Sequence, residues 1–302
     1  MMTGSPSIGP KIVSVSRRTD IPAYFGKWFL QRIRDGYVDV PNPFNRRLAK
    51  VSLSPEAVKG FVFWTRNPHP FLPHVMPLIS EGYPMIWHVT VTGLPRSLEK
   101  NIPDSGFVID SLKTLRNWIP QSALVWRFDP VIPEDGFSGD GIRKRFLSLA
   151  EPLSNLTDRV MMSFVDGYRK TLRNYPEARA LPDFRSEEAR NFLDWVDRET
   201  PFAGRVSLCT EPELESWGYR GACIRWEDFG RAWPNRQVAQ TRTGPTRMGC
   251  GCSESVDIGV YDTCLGGCRY CYAVLDHQKV RQKIRNEGSS VLSGPFPDRE
   301  GD

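Results

Sequence analysis

The stretch Gly60-Phe-Val-Phe-Trp-Thr-Arg-Asn-Pro68 holds in miniature the unit that decides the fold. Its first part, Gly60–Thr65, is apolar and aromatic, the composition a pleated strand favours. Apolar side chains occupy both alternating positions, as in a parallel strand covered on its two faces. Asn67-Pro68 then marks the start of a helix. The same order of β-like run, polar turn and helical stretch recurs along the chain. The other β-like runs are Lys11–Ser16, Met85–Thr92, Ala123–Pro130, Arg159–Asp166, Arg205–Glu211 and Asp257–Tyr261. Asp20 is placed to cap a helix that enters at Pro22, carries Phe25, Trp28, Phe29 and Ile33 at helical spacing and stops at Gly36. Ser54-Pro55 reads as a further helix start, and Phe107–Trp118 and Glu187–Val196 carry apolar stripes at spacings of three and four. Strand–helix alternation of this kind predicts an α/β chain with a parallel sheet. About seven such units favour a full or partial parallel (βα) barrel of the TIM type.

Composition narrows the function. The chain has 302 residues, 40% hydrophobic and 25% charged, which suits a globular protein with a substantial core. A net charge of +5 and a pI near 8.8 permit an anionic substrate or nucleic acid without requiring one. Met1–Pro10 lacks the apolar run of a signal peptide, and no stretch approaches the ~18 consecutive apolar residues of a membrane span. A cytoplasmic protein with no membrane partner is expected. There is no Walker loop, no Gly-x-Gly-x-x-Gly turn after the first strand, and no pair of histidines at metal-ligand helical spacing. The Gly/Ser/Pro-rich residues 1–10 read as a disordered tail, 11–285 as a single barrel domain and 286–302 as a flexible tail. The polar stretch Asn235–Met248 reads as a long loop leading into Cys250.

The seven cysteines carry the chemistry. In the reducing cytosol they are unsuited to a disulfide framework, and seven cannot all pair. Five lie between Cys250 and Cys271, which points to metal. Cys264, Cys268 and Cys271 have the spacing C-x3-C-x2-C. Thiolates are the soft ligands that iron–sulfur clusters require, and Gly266 and Gly267 free the backbone to turn between the first two. Three ligands on four irons would leave one iron open, and an open position marks catalysis rather than structure. A zinc site and buried unligated thiols are the other readings of this loop.

This loop, with Tyr270 just before the last cysteine, resembles that of the radical S-adenosylmethionine (SAM) superfamily. The run Gly-Cys-Arg-Tyr-Cys-Tyr-Ala (Gly267–Ala273) most resembles the spore photoproduct lyase branch. The resemblance implies a [4Fe-4S] cluster whose open iron chelates SAM. It further implies a reductant such as flavodoxin or ferredoxin, and a 5′-deoxyadenosyl radical that abstracts hydrogen from a substrate. Over most of its length the chain also resembles the bacterial "domain of unknown function 1848" family. The resembling stretches are Ser14–Ala23, Phe63–Pro68, Trp126–Pro130, Ser163–Asp166 and the cysteine segment. In radical SAM proteins the cluster loop follows the first strand. Here it follows the seventh, as a circular permutation would produce, with Asp257–Tyr261 as the usual first strand and Lys11–Ser16 as the second.

Cys209, Cys223, Cys250 and Cys252 remain. Four thiolates suit a second, auxiliary [4Fe-4S] cluster or zinc, so the expected iron–sulfur segment spans 209–271; burial of Cys209 and Cys223 as core thiols is the alternative. Function in parallel barrels sits at the C-terminal ends of strands. Arg17, Arg18, Asp129 and Glu211 are the catalytic candidates there, the arginines as bidentate partners of a carboxylate or phosphate. Asp129 and Glu211 also suit SAM ribose or amine groups. Asp20, Arg127 and Tyr270 are the cofactor-binding candidates, and Arg66 is among the other polar residues at strand ends. The substrate class is open between small molecule, peptide and nucleic acid. The competing function is a cysteine-ligated zinc or iron–sulfur protein that binds nucleic acid or transfers electrons without SAM chemistry.

Overall fold

The computed structural model describes residues 11–165, 167–209, 212–219, 221–236, 240–244, 250–283 and 289–292. In chain order the elements are β1 (Lys11–Val15), α1 (Ile21–Tyr24), α2 (Gly26–Asp35), β2 (Tyr37–Pro41), β3 (Leu48–Ser52), β4 (Val58–Thr65), α3 (Leu72–Ser80) and β5 (Met85–Thr90). Then come α4 (Ser105–Leu115), β6 (Leu124–Val131), α5 (Asp140–Leu153), β7 (Val160–Phe164), α6 (Arg169–Asn174), α7 (Glu187–Glu199), β8 (Val206–Leu208), α8 (Trp226–Ala232), β9 (Ser255–Asp257) and α9 (His277–Lys283). No helix among the described residues is long and apolar enough to cross a membrane.

Seven strands form one parallel sheet in the order β8-β7-β6-β5-β4-β1-β9, and β2 and β3 form a separate antiparallel hairpin. Starting from β9, each strand lies beside the next one in sequence, the hairpin aside. The order never reverses as it does in a doubly wound sheet. Crossovers between parallel strands are right-handed, so a constant direction of travel lays the helices on one face. β8 and β9 are the two ends of the sheet, and no ladder joins them among the described residues. The architecture is thus a mixed α/β fold on a seven-stranded parallel sheet, and no closed barrel forms among the described residues.

The two faces differ in chemistry. Phe61, Phe63, Trp87, Trp126 and Phe128 line the helix-covered face, all fully buried. Phe29 of α2 meets Phe61 and Phe63 edge-on at 5.3 and 5.8 Å, and Phe146 of α5 meets Trp126 and Phe128 at 5.1 and 5.2 Å. Each such ring contributes about 1.5–3 kcal/mol by leaving water. The opposite face carries Ser14, Trp64, His88 and Arg127, with Trp64 stacked on His88 at 4.3 Å. Across the N-terminal ends of the strands lies α8. Its Phe229 sits so close to Gly60 that a Cβ there would stand 2.2 Å from the ring, its Asp228 pairs with Arg159 at 3.0 Å, and Trp233 just beyond it donates to the Met85 carbonyl at 2.9 Å.

Several local expectations are corrected. Ser54-Pro55 starts no helix: the N–H groups of Ala57 and Val58 both bond the Ser54 carbonyl in one tight turn, because β4 already begins at Val58. The helix expected from Pro22 to Gly36 is two, broken at Phe25, whose φ of −132° is not helical. The last strand is Ser255–Asp257 rather than Asp257–Tyr261, since Asp257 folds its side chain back onto the Gly259 N–H and turns the chain away. The β2–β3 hairpin is additional. Residues 1–10 and 293–302 lie outside the described residues. In the stretch expected to be a flexible tail, residues 289–292 run along α2 and β2: Trp28 donates to the Ser289 carbonyl at 2.8 Å, the Asp39 N–H to the Ser290 carbonyl at 3.0 Å, and Leu292 is buried.

Candidate functional site

All strands of a parallel sheet point one way, so the segments that leave their C-terminal ends gather on one rim. The segment leaving β9 carries Cys264, Cys268 and Cys271 and is fastened to the loop after β5. Glu99 and Cys268 form an antiparallel bridge, the Arg269 N–H bonds the Leu98 carbonyl at 2.9 Å, and the Asn101 side chain donates to the Leu265 carbonyl at 2.7 Å. From the other side Thr171 of α6 donates to the Tyr270 carbonyl and Lys170 pairs with Asp262 at 2.9 Å.

The sulfurs of Cys264 and Cys268 flank Gly266, and Cys271 lies within electrostatic range of both. A Cβ at that glycine would stand 3.5 Å from the Cys264 sulfur, 3.7 Å from the Cys268 sulfur and 3.2 Å from Ile102 Cδ1, so the missing methyl leaves the space between the first two thiols. Backbone N–H groups already face sulfur: Gly266 toward Cys264 at 3.5 Å and Ala273 toward Cys271 at 3.3 Å. No thiol–thiol hydrogen bond joins the three among the described residues. Burial, with mutual repulsion of the thiolates, pushes Cys264 and Cys268 up to about 12 and Cys271 to about 11; the Arg66 guanidinium opposes this at Cys268. At neutral pH these thiols are protonated, and a metal taken up there releases protons.

Glu99 is the hub beneath Cys268. It accepts from Arg66 Nη1 and from the Thr92 hydroxyl, both at 2.6 Å, and from the Tyr270 hydroxyl. Arg66 stands 5.4 Å from the Tyr270 ring and donates its other arm to the Asp129 carbonyl at 3.1 Å. Asp20 caps α1 through the Ala23 N–H and also accepts from the Arg66 N–H at 2.8 Å. Burial still raises its carboxyl to about 6, beside Cys264.

The other four cysteines form a second group. The Cys223 thiol lies 2.7 Å from the Cys209 sulfur, and Cys252 is within hydrogen-bonding reach of both Cys223 and Cys250. Arg127 Nη1 donates to the Cys223 sulfur at 3.4 Å. The rest of its guanidinium is held by Asp129, with Nε at 2.8 Å, and Asp129 also accepts from the Ser163 hydroxyl. Burial works against ionised Asp129, but Arg127 and Ser163 outweigh it and hold the carboxyl below its ordinary range. Among the described residues no three His, Cys, Asp or Glu side chains are placed to grip one metal ion.

The candidates named from sequence therefore fall into groups. The C-x3-C-x2-C cysteines come together with Asp20 and Tyr270, and the remaining cysteines with Arg127 and Asp129. Arg17 and Arg18 converge on Asp257, with Arg17 N–H at 2.8 Å and the Arg18 Nε at 4.0 Å. Glu211 lies outside the described residues. Glu99 and Asp257 escaped the sequence reading. Asp257 had a signal: a lone carboxylate between Val256 and Ile258 in an apolar run. Glu99 had none, because its loop has no period.

A family model described as a domain of unknown function (DUF1848) matches residues 12–273. No curated protein and no solved structure matches the chain.

Proposed function

The chain belongs to the DUF1848 family, and from that premise we propose that it is a radical SAM enzyme, with a [4Fe-4S] cluster on Cys264, Cys268 and Cys271 and SAM at the cluster's fourth corner. The observation that carries this reading is that the Cys264 and Cys268 sulfurs flank Gly266, with Cys271 within electrostatic range of both, against the C-terminal ends of β1 and β4. The donors fit the group: three soft thiols, backbone N–H groups aimed at two of them, and a glycine where a side chain would fill the gap. The strand order supports a permuted partial barrel. With β9 counted first, the cysteine loop follows the first strand of a sheet that advances in one direction.

A cluster held by Cys264, Cys268 and Cys271 would supply the electron for reductive cleavage of SAM, drawn from the external reductant. The chain's own residues hold and shield. Arg66, locked by Glu99, keeps a positive charge beside Cys268 and offsets thiolate charge in a buried place. Tyr270 is pinned by the same carboxylate, which fixes the turn between the second and third ligands. Asp20, beside Cys264, is suited to take the amine of SAM; Arg127 is the other cofactor-binding candidate. Arg17, Arg18 and Asp129 stand on the rim as contacts for a substrate, which is a small molecule, peptide or nucleic acid; a flavodoxin or ferredoxin is the expected reductant. The cytoplasm is the proposed compartment.

The test is anaerobic reconstitution with iron and sulfide, then addition of dithionite and SAM. A broad visible absorption that bleaches on reduction and release of 5′-deoxyadenosine are expected, and both disappear in Cys268→Ala. Reconstituted protein that stays colourless and leaves SAM intact would sink the reading.

A further inference from the structure

We propose that Cys209, Cys223, Cys250 and Cys252 bind one zinc ion that ties together the two ends of the open sheet. Cys209 follows β8 directly, and its N–H extends the ladder by bonding the Met162 carbonyl of β7 at 2.9 Å. Cys252 precedes β9, the strand at the opposite end. Between them runs the segment of Cys223 and Ile224. The Ser253 N–H bonds the Ile224 carbonyl at 2.8 Å, the Ile224 N–H points at the Cys252 sulfur at 3.4 Å, and the Trp226 N–H reaches the Ser253 hydroxyl at 3.0 Å. The cysteines thus follow one another from one edge to the other, Cys209 against Cys223 and Cys252 within reach of Cys223 and Cys250, where no strand pairing does among the described residues.

Sulfur spacing selects the metal. A zinc ion with bonds of about 2.3 Å draws four thiolates to roughly 4 Å from one another, which is contact distance. A cubane holds its cysteines farther apart, across the width of the cluster. Cys209 and Cys223 already touch, and Cys252 lies within reach of Cys223 and Cys250. The metal-free thiols satisfy one another by hydrogen bonding in sequence; on uptake they lose protons and rotate round the ion. Two guanidinium groups suit the resulting surplus of negative charge. Arg127 donates to the Cys223 sulfur, and Arg17 lies within electrostatic range of Cys223 and Cys252.

This zinc site is independent of SAM chemistry, and its test separates the two. The full chain with Cys264, Cys268 and Cys271 all changed to Ala is purified and its metals are counted. About one zinc per chain is expected, falling ~tenfold or more when Cys223→Ala is added. Cobalt(II) put in place of zinc is expected to show intense sulfur-to-metal charge transfer. Cys250→His in the otherwise native chain is expected to keep the zinc, because three thiolates and an imidazole also make a zinc site. If the triple variant fails to fold, the cobalt spectrum of the native chain and the Cys250→His variant give the same decision. Zinc below ~0.1 per chain, cobalt without charge transfer, or iron with sulfide in the triple variant overturns the proposal.

Discussion

Cys264, Cys268 and Cys271 succeed one another on a single loop, whereas Cys209, Cys223, Cys250 and Cys252 are gathered from position 209 to position 252 by the two edges of a sheet. In the first group two sulfurs flank a missing side chain, and N–H groups face Cys264 and Cys271. In the second, Cys209 and Cys223 touch. Each group has its own arginine and its own acid: Arg66 with Glu99 near the first, Arg127 with Asp129 near the second. The difference teaches that spacing along a chain reports on cofactors built from one loop, while a site assembled across a sheet becomes visible only with the strand order.

The sharpest way to break this pairing is to remove the arginines. Arg66→Met leaves the buried Glu99 without its cation, with the Thr92 and Tyr270 hydroxyls as its remaining donors, and a loss of about 3–5 kcal/mol is expected in urea unfolding at neutral pH. Arg127→Met is expected to cost less, because the Asp129 side chain is more exposed than that of Glu99. Equal losses would show that the two pairs are not differently built.

Two acids of the rim, Asp20 and Asp129, offer the next test, in the metal-free chain. The Asp20 carboxyl is raised to about 6 by burial, so it favours folding when protonated. That contribution is complete below the ordinary aspartate range and is lost as pH rises through about 6; two units correspond to about 2–3 kcal/mol. Asp129 is held low, so its contribution is present at neutral pH and is lost only as the solution turns acid. Carboxyl carbon NMR should give midpoints on opposite sides of the ordinary value, and Asp20→Asn should flatten the first slope. Two coincident midpoints would contradict the contrast.

The smallest expected effect is at Gly266. In Gly266→Ala the new methyl would stand 3.2 Å from Ile102 Cδ1 and fill the space between two sulfurs. Stability is expected to fall by about 1 kcal/mol, while iron incorporation falls severalfold and the zinc of the other group is unchanged. Undiminished iron would show that the gap is not the cluster's.

Six of the seven strands of the sheet are legible in the sequence, because each carries apolar residues on a short run bounded by turn residues; β9 overlaps its expected run only at Asp257, and its one buried residue is that carboxylate. The β2–β3 hairpin is not: Leu48–Ser52 is exposed or half-buried along its length and carries little apolar pattern. Ser54-Pro55 misleads because a helix start and a tight turn share the same first bonds, and only the strand-forming run that begins at Val58 decides between them. At the site, the C-x3-C-x2-C loop and Asp20 are readable from spacing and capping chemistry. Glu99 is not, since its role arises from a bridge to Cys268, far away in sequence. Arg17 and Arg18 are visible as charges but not as partners of Asp257, for the same reason of distance.

Phe229 pressed on Gly60, with Asp228 on Arg159 and Trp233 on the carbonyl of Met85, puts a floor under the polar face of the sheet. The N-terminal end of that face is thus covered by α8, a helix that carries none of the cysteines, and the C-terminal ends of the strands are left as its approach.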